Sequence, residues 1–250
     1  MISTILLPLL GPDDGRSLAL SVDLSRHFRA HLEIVSATEA SSMDEQAFER
    51  WRVSQGLKSQ RHRGLPSASL SRIPELPKGL QSRAKLSDLI CIAGSQCSDP
   101  VEDLIGSLVF ACGRPVLMVP MLDPGPYVPN SFFGTRAVIG WNGSSEAVRA
   151  ISAALPFLAV SASVEVLTLD EEAYGAADAY EVVTHLSAHD IIATAAGIGR
   201  KDWVGGDIID IAGDRRPGLF VMGARRQAGS LGSATKHYLT SKPFPALIMA

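Results

Sequence analysis

Apolar residues in this chain gather in short unbroken runs, separated by stretches of helical spacing. The clearest case lies in the second half, where 137–141 (Ala-Val-Ile-Gly-Trp) is closed by Asn142-Gly143-Ser144-Ser145 and followed by Ala147, Val148, Ile151, Ala154, Leu155 and Leu158. The first stretch predicts a strand, and the second, with apolar side chains three and four apart, predicts a helix with one hidden face. The same reading predicts strands at 164–169, 191–195, 219–222 and 246–249, with helices at about 177–189, 204–212 and 234–240 between them. The first half opens on an apolar run at 5–10 and follows the same plan, with a weak third strand near 68–72 among Pro66, Pro74 and Pro77. Strands that are apolar throughout rather than alternating, each followed by a helix, predict parallel sheets covered on both faces.

The two halves repeat one another. At an offset of 132, residues 6–36 fall on 138–168 without a gap, so that Gly11 meets Gly143 and His31-Leu32-Glu33-Ile34-Val35 meets Ser163-Val164-Glu165-Val166-Leu167. Further on, 89–94 matches 218–223 at an offset of 129 and 115–119 matches 245–249 at 130. Co-linear matches at nearly constant offset mark a duplicated structural unit. The seam holds Pro124, Gly125, Pro126, Pro129 and Gly134 and carries no apolar period. The expected organisation is therefore a domain over 1–120, a linker over 121–135 and a domain over 136–250.

Composition narrows the function classes. The 250 residues are 46% hydrophobic and 20% charged, with 23 Lys plus Arg against 26 Asp plus Glu. Divided at residue 125, the halves hold 13 basic against 14 acidic residues and 10 against 12, so neither carries a nucleic-acid footprint. The cation run at 50–63 reads as a solvated helix end. Cys91, Cys97 and Cys112 are odd in number and form no C-x-x-C pair, which suits a reducing compartment. The apolar N-terminus has no basic residue ahead of it, so a buried strand is expected there rather than a signal peptide. The most apolar stretch, 150–164, contains Pro156 and is shorter than the roughly 20 residues that span a bilayer, so no membrane span is expected.

In a doubly wound sheet, ligands bind beyond the carboxyl ends of the strands, where helix N-termini offer free N–H groups to anions. Two loops of the second half lie there. In the first, Ser144 or Ser145 suits a helix N-cap and leaves Asn142 to face a ligand. The second, 222–236, carries Gly223, Gly229 and Gly232 with Ser230 and Ser233 ahead of a helix, a composition that suits a phosphate cradle. It does not match the P-loop pattern, and Arg225-Arg226 reads either as phosphate-neutralising or, more simply, as solvated surface. His185 and His189 share a helix face but have no third metal ligand, and Trp51, Trp141 and Trp203 read as packing residues. Neither a G-x-S-x-G elbow nor an activated cysteine stands out, so catalysis has no positive signal.

The motifs W-N-G-S-S-E-A (141–147), M-G-A (222–224), G-S-A-T (232–235) and P-F-P-A-L-I-M (243–249), with G-R-P-V-L-M-V-P (113–120) in the first copy, resemble the universal stress protein family. The resemblance covers both copies. It implies an α/β fold of two flavodoxin-like domains in tandem, each with a doubly wound parallel five-stranded sheet, packed as a pseudo-twofold dimer. It also implies a cytoplasmic location and a noncatalytic, regulatory role in stress responses. Many such proteins bind ATP through G-x-x-G, nine residues, then G-[ST]. Carried onto this chain, an adenine nucleotide or another small anion would be held by Asn142, Gly223, Gly232 and Ser233, with Val166 flanking an adenine.

The chain departs from that pattern. Arg226 stands where the second glycine belongs, and Gly232-Ser233 follow Gly223 by nine residues instead of thirteen. Asn142 replaces the usual Asp. In the first copy Leu10 takes that place, and Asp99, Glu102 and Asp103 stand where phosphates would lie, so this copy is expected to be a scaffold. The rival reading is a nucleotide-free protein-interaction module with decayed sites, whose strands 116–119 and 247–249 meet across the pseudo-twofold, with the protein partner unspecified and a homodimer open. ATP hydrolysis is the least favoured of the three, because neither a metal-binding acid nor a general base stands near the glycine loop.

Overall fold

A computed structural model describes residues 1–10, 15–37, 43–60, 64–73, 78–94, 99–120, 133–169, 179–198, 207–227, 230–241 and 244–250. The first half runs β1 (Thr4–Leu9), α1 (Gly15–Phe28), β2 (His31–Ala37), α2 (Glu45–Ser54), β3 (Ser67–Ile73), α3 (Lys78–Ala84), β4 (Leu89–Gly94), α4 (Asp99–Cys112) and β5 (Val116–Pro120). The second runs β6 (Arg136–Trp141), α5 (Ser145–Leu158), β7 (Ser163–Leu169), α6 (Ala179–Ser187), β8 (Ala193–Ile198), α7 (Asp207–Asp214), β9 (Leu219–Gly223), β10 (Arg226–Gln227), β11 (Ser230–Leu231), α8 (Ser233–Ser241) and β12 (Ala246–Met249). The expected linker lies outside the described residues up to position 132.

Ten strands form one sheet in the order β3-β2-β1-β4-β5-β12-β9-β6-β7-β8. Each half contributes the doubly wound order, and within each half every pair is parallel. At the centre β5 and β12 run antiparallel, with Met118 opposite Ala246, Leu117 opposite Leu247 and Val116 opposite Ile248. The fold is thus α/β, two flavodoxin-like units in tandem about a pseudo-twofold axis. The two closing strands are the ones expected to meet, and their pairing satisfies backbone groups that would otherwise form exposed edges.

The ladders also correct the repeat. Leu89 pairs with Ile5 and Leu219 with Ala137, so Leu89 is equivalent to Leu219, an offset of 130 rather than 129 for this segment. The difference matters because a one-residue slip would exchange the two faces of the strand. In the true register Leu89, Cys91, Leu219 and Val221 face one core layer, and Ile90, Ile92, Phe220 and Met222 face the other. The first layer packs under α1, α2, α5 and α6, the second under α3, α4, α7 and α8, and each layer draws residues from both halves.

One strand begins later than its apolar run. The run at 191–195 predicts β8 there, but Ile191 donates its N–H to the Leu186 carbonyl to close α6, so pairing starts at Ala193 and leaves Ile192 91% exposed.

The structure further reveals a duplicated ion pair. Glu33 on β2 meets Arg83 on α3, and Glu165 on β7 meets Arg215 just after α7 at 2.8 Å. Both partners keep the offset of 132, so the pair was copied with the fold.

Candidate functional site

The loop after β6 is organised by its own side chains. Ser144 caps α5, its hydroxyl oxygen accepting the Ala147 N–H at 3.2 Å. The Asn142 carbonyl oxygen accepts from both the Ser144 N–H (3.1 Å) and the Ser144 hydroxyl (2.7 Å), closing a local turn that Gly143 makes with φ of 69°. The side chain expected to face a ligand therefore holds this turn together.

Gly223, at the end of β9, lies directly beneath the first turn of α5. A Cβ there would stand 2.5 Å from the Ala147 nitrogen and 2.7 Å from the Glu146 carbonyl carbon, so the glycine serves the approach of a helix. The next residue, Ala224, donates its N–H to the Met249 carbonyl of β12 at 2.7 Å.

Instead of a cradle, the shortened glycine loop forms a hairpin. Arg226 pairs with Leu231 and Gln227 with Ser230 across the β10–β11 ladder, and the Gly232 N–H donates to the Arg225 carbonyl at 2.9 Å. The hairpin leans on α4 of the other half. The Arg226 guanidinium sits 4.8 Å from the centre of the Phe110 ring, and Leu231 packs within 4.0 Å of where a side chain at Gly106 would begin. Arg226 is exposed, as a surface arginine would be, with its guanidinium laid over the Phe110 ring. No sequence periodicity signals so short a hairpin. The only cue is the spacing of nine between Gly223 and Gly232, too short to wrap a triphosphate.

Glu146 is the titratable group whose Cβ lies nearest Gly223. Burial pushes this carboxyl up, but hydrogen bonds from its own N–H and the Ser145 hydroxyl, with the charges of Arg149 and Arg225, outweigh burial and hold it below the ordinary carboxylate range. Glu146, whose Cβ lies close to Gly223, thus favours its ionised form, and Arg225 contributes to balancing it. Of the remaining candidates, Val166 is wholly buried in the first core layer, while Ser233 begins α8 and is exposed. The structure brings Asn142, Gly223 and Gly232 to one end of the sheet, with the Asn142 side-chain oxygen and the Gly232 N–H already engaged. In the first copy, residues 95–98 lie outside the described set, so the expected acid-lined loop is described only from Asp99, where α4 begins.

Among the described residues no group of three or more His, Cys, Asp or Glu could hold a metal, and His185 and His189 stand edge to face with ring centres 4.9 Å apart. Cys91 is buried under α1, and burial raises its thiol pKa to about 12 against a smaller opposing effect of Ser21. No described helix is long and apolar enough to cross a membrane.

No protein-family model and no curated relative matches the sequence. Solved structures do match by shape. A universal stress protein from Archaeoglobus fulgidus DSM 4304 superposes with a TM-score of 0.68 at 16% identity, covering 98% of this chain and 97% of its own. The chain has the fold of the universal stress proteins. A second protein described as a universal stress protein, from Pseudomonas aeruginosa UCBPP-PA14, gives a TM-score of 0.64 at 15% identity over 99% of this chain and 93% of its own. The universal stress protein fold also accounts for a more distant match. The cytoplasmic domain of a prokaryotic cation chloride cotransporter has a TM-score of 0.57 at 10% identity, covering 99% of this chain and 95% of that one.

Proposed function

We propose that this protein is a noncatalytic regulator of the stress-response class that works through contacts with other proteins, without a bound nucleotide. The observation that carries the reading is the hairpin 226–231. The loop positioned to wrap phosphates is pinned to α4 of the other half, and the Gly232 N–H that would serve as a donor is spent on Arg225. The ionised Glu146 beside Gly223 adds like-charge repulsion toward a triphosphate.

The opposing reading, a remnant ATP site, is favoured by one feature, the exposed Ser233 at the start of α8. Thermal melting with ATP and magnesium separates the two. A ligand at a hundred times its Kd adds about 2.7 kcal/mol of stability, and each kcal/mol moves Tm by about 2–4 °C in a chain of this size. The expected result is no shift at millimolar ATP and no nucleotide released when natively purified protein is denatured. A clear shift that disappears in Ser233→Asp would establish the nucleotide site and end the nucleotide-free reading.

A further inference from the structure

We propose that the cleft between α5 and α6 binds a small aromatic amine, a site separate from the glycine loop and independent of the regulatory reading above. The two helices lie on the same sheet face and border a cavity of about 200 Å³. Trp141 at the end of β6 lines it, with Val148 and Ile151 of α5 and Val182 of α6 around it. No residue of the Asn142–Ser145 loop or of the glycine hairpin takes part.

Size and lining select the body of the ligand. An apolar cavity of about 150 Å³ accommodates a benzene ring, so this space takes one ring and a short arm. The Trp141 indole, 5% exposed, forms an aromatic wall beside Val148, Ile151 and Val182. Val148, on the α5 side, is 49% exposed, which leaves a way in.

The charge at the rim selects the head group. Glu181 and His185 stand one helical turn apart on α6, and both border the cavity. Among the described residues, Glu181 is the one acid of the lining, which contains neither Arg nor Lys, and no ion pair holds its carboxylate. An ammonium group on a short arm would reach that carboxylate from the ring's position, whereas a carboxylate or phosphate head would meet repulsion. The internal repeat shows that the fold does not demand these residues. Leu9 occupies the ladder position of Trp141, and Trp51, counted from the helix start, occupies that of His185 and packs against the core.

The test is isothermal titration with 2-phenylethylamine and with 3-phenylpropionate, which share ring and arm and carry opposite charges. Parent protein, Val148→Trp and Glu181→Gln are compared at low salt, after circular-dichroism melts establish that both variants fold. The amine is expected to bind the parent with a Kd under about 1 mM and at least about fivefold tighter than the acid. Val148→Trp, which fills the entrance from an exposed position, should weaken the amine about tenfold or more. Glu181→Gln should remove most of the preference for the amine while leaving the ring bound. Absence of amine binding by the parent, equal affinity for amine and acid, or unchanged affinity in folded Val148→Trp would each overturn the proposal.

Discussion

Gly223 has no room for a side chain, because the first turn of α5 fills the space a Cβ would occupy, 2.5 Å from the Ala147 nitrogen. A Gly223→Ala substitution is therefore expected to lower stability by about 1–3 kcal/mol, the usual range for overpacking against unyielding backbone. Urea unfolding measures it, and a loss within about 0.5 kcal/mol would show that the helix can retreat and that the glycine is there for another reason. The residue was visible in the sequence as the first glycine of a phosphate loop, but its use was not, since a glycine that admits a phosphate and one that admits a helix read alike. Asn142 is similar. Its type suits a ligand contact, yet the nearest donors are the N–H and hydroxyl of Ser144 two positions away, and local partners prevail when they are already in reach. Arg226 is exposed, as its solvated-surface reading expects, but its contact with Phe110 was not legible, because that ring is 116 positions earlier in the chain.

Three helix ends place a residue with a Cβ in the left-handed region, Arg29 after α1, Asp190 after α6 and Arg216 after α7, and are open to improvement. After α6 the chain turns through Asp190 with φ of 59°, while the Ile191 N–H closes on the Leu186 carbonyl at 3.1 Å, a position that glycine takes without steric cost. Asp190→Gly is expected to raise stability by about 0.5–1 kcal/mol, relieving the left-handed strain of a residue with a Cβ. Thermal melting decides it, and a lower Tm would show that the Asp190 side chain earns its place by a contact. The duplicated pair Glu33–Arg83 and Glu165–Arg215 shows which element contacts survived divergence. Around it the copies drifted. The Asp88 carboxylate accepts from the Ser3 and Thr4 N–H groups at 2.8 and 2.9 Å, whereas the equivalent Gly218 leaves that space to the Thr135 side chain. Strands and helices were legible because burial imposes a period on each. The hairpin 226–231 was not, since its two-residue strands are too short to show a period.

For the whole molecule, the β5–β12 ladder and two core layers shared by both halves leave little reason for either half to unfold alone. Rings add to the tie, with Phe28 of α1 and Phe157 of α5 at 5.0 Å across the seam. Calorimetry is expected to show one cooperative transition, with calorimetric and van't Hoff enthalpies equal. Two resolved transitions would mean that the halves are independent despite the common sheet. The sequence by itself determined the duplication, the doubly wound α/β plan and the closing strands that meet, because these rest on the spacing of apolar residues, which each segment carries locally. Only the tertiary structure decided the exact register of β4 against β9, the docking of the glycine loop on α4 and the cleft at Trp141. Those depend on which surfaces distant segments bring together, and a loop's composition states what it is able to bind without stating what already occupies it.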